Sequence, residues 1–92
     1  VKYIDIEIPN FFTPNGDGSN DVWAPENLDY YPKMKVSIFD RYGRLVKELE
    51  KGASWDGQYE GRELPAGDYW YILSLNSEED DRVFYGHFTL YR

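Results

Sequence analysis

Cysteine is missing from this chain, so neither a disulfide framework nor a thiolate metal site can staple the fold, and thiol chemistry says nothing about the compartment. Basic residues are scarce as well. There are 10 Lys plus Arg against 17 Asp plus Glu, a formal net charge of −7 over 92 residues. Such a chain has no basic patch to exchange for counterions, which opposes binding to nucleic acid or to an anionic membrane surface. No apolar run nears bilayer length and no signal peptide is visible. Because the only methionine is Met34 and the chain opens on Val1, it reads as a piece of a longer precursor whose export signal would lie upstream.

Catalytic chemistry is equally thin. His87 is the single histidine, and with no cysteine or second histidine it could join only a mixed carboxylate site, so a strand-surface histidine is the favoured reading. Ser19, Ser37, Ser54, Ser74 and Ser77 sit in no nucleophile-elbow context. Asp56 with Glu60, and the acidic run Glu78 to Asp81, could serve acid–base work on sugars, but they fall in turns and read as solvated faces. The expectation is a protein that is not an enzyme.

Aromatic residues are what the chain has in abundance: nine Tyr, five Phe and three Trp make up 18% of it, enough ring area to build the core of one small domain spanning residues 1–92. Their spacing has period two. Lys2 to Ile8 alternates, with Ile4, Ile6 and Ile8 on one side. Asp21 to Ala24 is a short strand candidate, and Met34 to Phe39 places Met34, Val36 and Ile38 inward. Asp40 to Gly43 predicts a hairpin turn, with Gly43 at positive φ, into a strand over Arg44 to Glu50. From Asp68 the alternation is longest, with Tyr69, Tyr71, Leu73 and Leu75 on one face and Trp70, Ile72, Ser74 and Asn76 on the other, which predicts a central strand. Val83 to Tyr91 directs Phe84, Phe88 and Leu90 to the same core, while Gly86 marks a bulge or close approach. No segment keeps a helical period for three turns. An all-β fold follows: an immunoglobulin-like antiparallel β-sandwich of about seven strands, with a small Greek-key barrel as the rival. Tyr69, just after Gly67 and Asp68, is expected to form a tyrosine corner.

Two features remain for function. The loop TPNGDGSND, Thr13 to Asp21, places Asn15, Asp17, Ser19 and Asp21 at alternate positions, a spacing that lets several oxygens converge on calcium. It lacks a distant bidentate Glu, and Asx side chains capping their own turns explain the same composition, so a self-bonded loop that fixes how the chain enters the next strand is the favoured reading. No cofactor is required on either reading. The second feature is a row of Trp70, Ile72, Tyr85, His87 and Tyr91 on the outward side of the last two strands, either fit to contact a partner or stack on sugar rings, or an ordinary strand surface covered by long Lys and Arg stems and cross-strand pairing.

Taken in order, FFTPNGDGSNDVW (Phe11 to Trp23), Tyr31-Pro32, VSIFDRYGRLV (Val36 to Val46), WDGQYEG (Trp55 to Gly61), LPAGDYWYIL (Leu64 to Leu73) and GHFTLYR (Gly86 to Arg92) resemble the gliding motility-associated C-terminal domain, the type B sorting domain of the type IX secretion system of Bacteroidota. The resemblance covers nearly the whole chain from Phe11. It implies a C-terminal address label: the parent protein crosses the inner membrane by a cleavable Sec signal, passes through the periplasm, and is then sorted to the cell surface or medium. Expected partners are outer-membrane components of that machinery, including a small PorP/SprF-like protein, met by a monomeric domain that does not itself span the membrane. The segment expected to be gripped is Gly86, His87, Phe88, Thr89, Leu90, Tyr91 and Arg92, with Trp70 and Tyr85 beside it. Asp68 departs from the small hydroxyl residue of the family's corner. The rival readings are a carbohydrate-binding or adhesive sandwich, with or without calcium, and a structural spacer.

Overall fold

Alternating apolar residues become strands here because one face of each can be buried against the same aromatic cluster. The computed structural model describes residues 6–14, 21–26, 31–78 and 80–91. Seven strands run β1 (Phe11–Phe12), β2 (Lys35–Phe39), β3 (Leu45–Leu49), β4 (Gln58–Tyr59), β5 (Arg62–Glu63), β6 (Gly67–Ser74) and β7 (Val83–Leu90), with no helix among the described residues. Five of them form one sheet in the order β1-β7-β6-β2-β3, and β4 pairs with β5 as a separate hairpin. The predicted central strand, β6, is the middle of the five.

The sheet is mixed. β2, β3, β6 and β7 pair antiparallel, but β1 lies parallel to β7, with Phe11 opposite Thr89 and Phe12 opposite Leu90. A parallel neighbour must arrive through a crossover, which period-two patterning cannot reveal. The second layer of this sandwich-like fold is made of short paired segments. Trp23 and Trp55 exchange backbone hydrogen bonds of 2.8 and 2.9 Å, and the Glu26 N–H donates to the Glu7 carbonyl at 2.7 Å. The strand expected over Asp21 to Ala24 is thus a single bridge at Trp23. Of the strand expected over Lys2 to Ile8, residues 1–5 lie outside the described residues, while Ile6 and Ile8 pack against the core as foreseen.

Between the layers sits Phe88, fully buried. Its ring stacks on Trp23 at 4.3 Å and 14°, and meets Trp55 edge-on at 5.9 Å. Phe12, Tyr69 and Tyr71 close the ring at 6.0, 6.3 and 6.5 Å. Offset and edge-to-face pairs of this kind add to the burial of the rings themselves. Both indole N–H groups are satisfied, Trp23 donating to the Pro9 carbonyl at 2.8 Å and Trp55 to the Gln58 carbonyl at 2.9 Å.

Two polar devices and one tight turn fix the chain where strands begin and end. The Tyr69 hydroxyl donates to the Pro65 carbonyl at 2.7 Å, the corner expected from the sequence, and ties the start of β6 to the preceding loop. At the β2–β3 turn, Asp40 accepts from the N–H groups of Tyr42 and Arg44 and from the Arg44 guanidinium at 2.9 to 3.0 Å, and Gly43 adopts φ +80. Burial pushes the Asp40 carboxyl upward, yet those two N–H groups and the Arg44 charge outweigh it and hold the group below its ordinary range. The β4–β5 loop puts both Glu60 and Gly61 at positive φ, 52 and 80, the pattern of a type I′ turn whose twist suits a two-residue hairpin.

Phe88→Ala is expected to cost ~3–5 kcal/mol, because it empties the centre of the aromatic cluster, whereas Tyr69→Phe costs about 1 kcal/mol for one lost hydrogen bond. Urea unfolding followed by tryptophan fluorescence checks the ranking. Equal losses would show that Phe88 is not the centre of the core.

Candidate functional site

Core packing of β6 and β7 decides what the sheet shows outside. With Tyr69, Leu73, Phe88 and Leu90 buried, the intervening residues must face away. The register pairs Trp70 with His87, Ile72 with Tyr85 and Asp68 with Thr89 across the two strands. Trp70 is 42% exposed, Ile72 37%, Tyr85 72% and Tyr91 54%, so the outward row expected from alternation is present. The Trp70 and His87 rings lie 6.4 Å apart, and Phe11 meets Tyr91 edge-on at 6.1 Å.

The outward face is divided. On its β1–β7–β6 side it is aromatic, and the register continues the Trp70 row through Phe39 to the exposed Leu45. Farther along β2 and β3 it turns charged, with Lys35 3.8 Å from Glu48. Asp68, which departs from a small hydroxyl at the corner, accepts a 2.8 Å hydrogen bond from the Thr89 hydroxyl on this face. Phe11, Phe39 and Leu45 were missed by inspection of the sequence. Phe39 follows the same alternation as Val36 and Ile38, so its outward placement was readable in principle; Phe11 sits on the parallel strand and Leu45 beside a register shift, and neither leaves such a signal.

Not every residue in the expected grip segment is presented. Phe88 and Leu90 are completely buried, because even-numbered positions of β7 face the core, so their side chains cannot be offered to a partner by the folded domain. Gly86 also faces inward, beneath Tyr71: a Cβ there would lie 2.6 Å from the Tyr71 hydroxyl and 2.9 Å from its ring. Its role is the close approach, without a bulge. Thr89 is half-buried, His87 and Tyr91 are exposed, and Arg92 lies outside the described residues. So do Asn15, Asp17 and Ser19 of the calcium candidates; Asp21 is half-buried. Among the described residues no three His, Asp or Glu side chains converge as a metal site.

One acidic residue departs from the solvated reading of Glu78 to Asp81. Asp80 is buried at 4% exposure. Its carboxylate accepts from the Tyr31 hydroxyl at 2.7 Å and from the Arg82 guanidinium at 2.8 and 2.7 Å, and Arg82 then lies over the Phe84 ring at 5.3 Å. The Arg82 hydrogen bonds, aided by Tyr31 and the Arg82 N–H and opposed by burial, hold the Asp80 carboxyl at about 2; the same pairing raises Arg82. This cluster anchors the loop that leads into β7.

The chain matches the family described as CHU_C type IX secretion signal domain over residues 6–90. Among solved structures it is similar to one from a study of PorZ, an essential bacterial surface component of the type-IX secretion system of Porphyromonas gingivalis, with 21% identity and a TM-score of 0.52. That likeness covers 64% of this chain and 8% of the PorZ chain, and it shows a shared fold. No curated protein sequence matches.

Since Asp80 is held below its ordinary value of 3.8, its contribution to stability is complete above that pH and is lost as pH falls toward about 2. Thermal melts from pH 5 to pH 2 should therefore show a steep loss in the native chain and a shallower one in Asp80→Asn, which should also melt lower at pH 7. Identical slopes would show that the cluster does not carry the acid sensitivity.

Proposed function

Because the chain belongs to the type IX secretion signal domain family, a match that spans 85 consecutive positions from residue 6 to residue 90, we propose that it directs its parent protein to export by being recognised through the aromatic half of its outward sheet face. The domain is a C-terminal sorting signal for export to the cell surface or the medium. Neither the family match nor the structural neighbour supports the carbohydrate-binding alternative.

The observation that carries the proposed surface is the exposed group of Trp70, Ile72, Tyr85 and His87 on the two longest strands, with Tyr91 just past the end of β7. Clusters of exposed aromatics on a rigid sheet suit protein recognition, since large rings contribute contact area at small conformational cost. On this reading the domain catalyses no reaction and requires no cofactor. It passes through the periplasm behind a Sec-exported cargo and then meets an outer-membrane component of the secretion machinery, a PorP/SprF-like protein being the partner of choice.

A reporter protein carrying residues 1–92 at its carboxyl end should reach the cell surface or medium only in cells with intact type IX machinery. Accumulation in the periplasm of both intact and deficient cells would reject the proposal. In the same assay the double variant Trp70→Ala/Tyr85→Ala should lower delivery by roughly tenfold, as loss of two aromatic anchors does at an interface, while circular dichroism shows the fold retained.

A further inference from the structure

β7 has two sides within the sheet, and the described residues fill only one of them along its length. β6 pairs with every residue from Val83 to Leu90, whereas β1 pairs with Thr89 and Leu90 alone. The direction of each backbone group follows from bonds at the two ends. Thr89 and Tyr91 donate their N–H groups to the carbonyls of Asn10 and Phe12, away from β6, at 3.0 Å each. At the other end the Arg82 carbonyl accepts from the Leu75 N–H, toward β6, at 3.3 Å. Backbone groups of an antiparallel strand alternate sides, so even-numbered positions of β7 bond β6 and the N–H and C=O groups of Val83, Tyr85 and His87 point to the β1 side. No described strand lies there. The chain before β1 has left the sheet by that point, with Glu7 bridged to Glu26 in the other layer.

We propose that the upstream half of β7, Val83 to His87, is an open edge on which an extended segment of the export partner adds as a further strand, in line with β1. This rests on the sorting role above and names how the domain would be gripped. Three donors and three acceptors are offered, and the same three residues carry their side chains on the outward aromatic face, so an added strand meets Tyr85 and His87 by backbone and side chain together. An edge of this kind left uncovered is a ready template for pairing.

Charge selects the occupant. The chain carries −7, Asp81 lies two positions before this stretch, and the intervening cation Arg82 is engaged by Asp80. An extended segment bearing basic side chains is therefore favoured over a second copy of the same acidic chain, whose like charges would oppose edge-to-edge pairing.

His87→Pro removes one outward N–H while leaving the β6 ladder intact, and proline is tolerated at strand edges. As a carboxyl-terminal fusion in secreting cells it should be delivered about tenfold less well than His87→Ala, which keeps the N–H and removes only the ring. Equal delivery of the two variants, both shown folded by circular dichroism, would overturn the edge assignment while leaving the sorting role standing. Failure of the unsubstituted fusion would instead sink the sorting role. Independently of any variant, hydrogen exchange on the purified 92-residue chain should find the amides of Val83, Tyr85 and His87 exchanging about a hundredfold faster than those of Phe84, Gly86 and Phe88. Comparable protection of both sets would mean that the chain covers its own edge. Protection that grows with protein concentration would assign the edge to a second copy. Either result overturns the proposal.

Discussion

The burial of Phe88 between Trp23 and the sheet is the constraint from which the rest follows. A strand has only two faces, and once Phe88 and Leu90 are inside, Tyr85, His87, Thr89 and Tyr91 have no choice but to be outside. A slip of one residue would bury those side chains and expose the core, so the aromatic cluster is also what specifies the recognition face. The cross-strand pairs set by β6, Trp70 with His87 and Ile72 with Tyr85, then gather that face into a patch.

Rigidity is supplied at the ends of the strands by polar groups that are fully used. Asp40 closes the β2–β3 turn, Tyr69 ties the corner before β6, and Asp80 with Tyr31 and Arg82 secures the approach to β7. Among the described residues no buried side-chain nitrogen or oxygen lacks a partner. A domain that must be recognised gains from such fixation, since loops already ordered cost nothing further to order on binding. Among the described residues the upstream half of β7 is the exception to this completeness, and it carries the exposed Tyr85.

Much of this was legible in the chain because period-two alternation is a direct record of burial. Val36 and Ile38, Leu73 and Leu75, Phe88 and Leu90 took the faces their spacing assigned, and so did Trp70, Ile72, Tyr85 and Tyr91. The Tyr69 corner was readable from the Gly67-Asp68-Tyr69 sequence, and family resemblance from the ordered blocks. What could not be read depends on long-range pairing. The parallel lodging of Phe11–Phe12 beside β7 is fixed by contacts 78 positions away (Phe11 to Thr89) and has no local pattern. Asp80 looked solvated because its neighbours are acidic; only the fold brings Tyr31 to it, 49 positions distant. The open edge is likewise a property of strand order, which composition does not encode.

Site-specific photo-crosslinking during export tests most directly whether this face, at this edge, is where the machinery takes hold. A photoreactive phenylalanine derivative at position 85 on β7, compared with one at position 48 on β3 at the far side of the same face, should crosslink to an outer-membrane component of the secretion system from position 85 and not from position 48. Crosslinking from position 48 with none from position 85 would contradict the account.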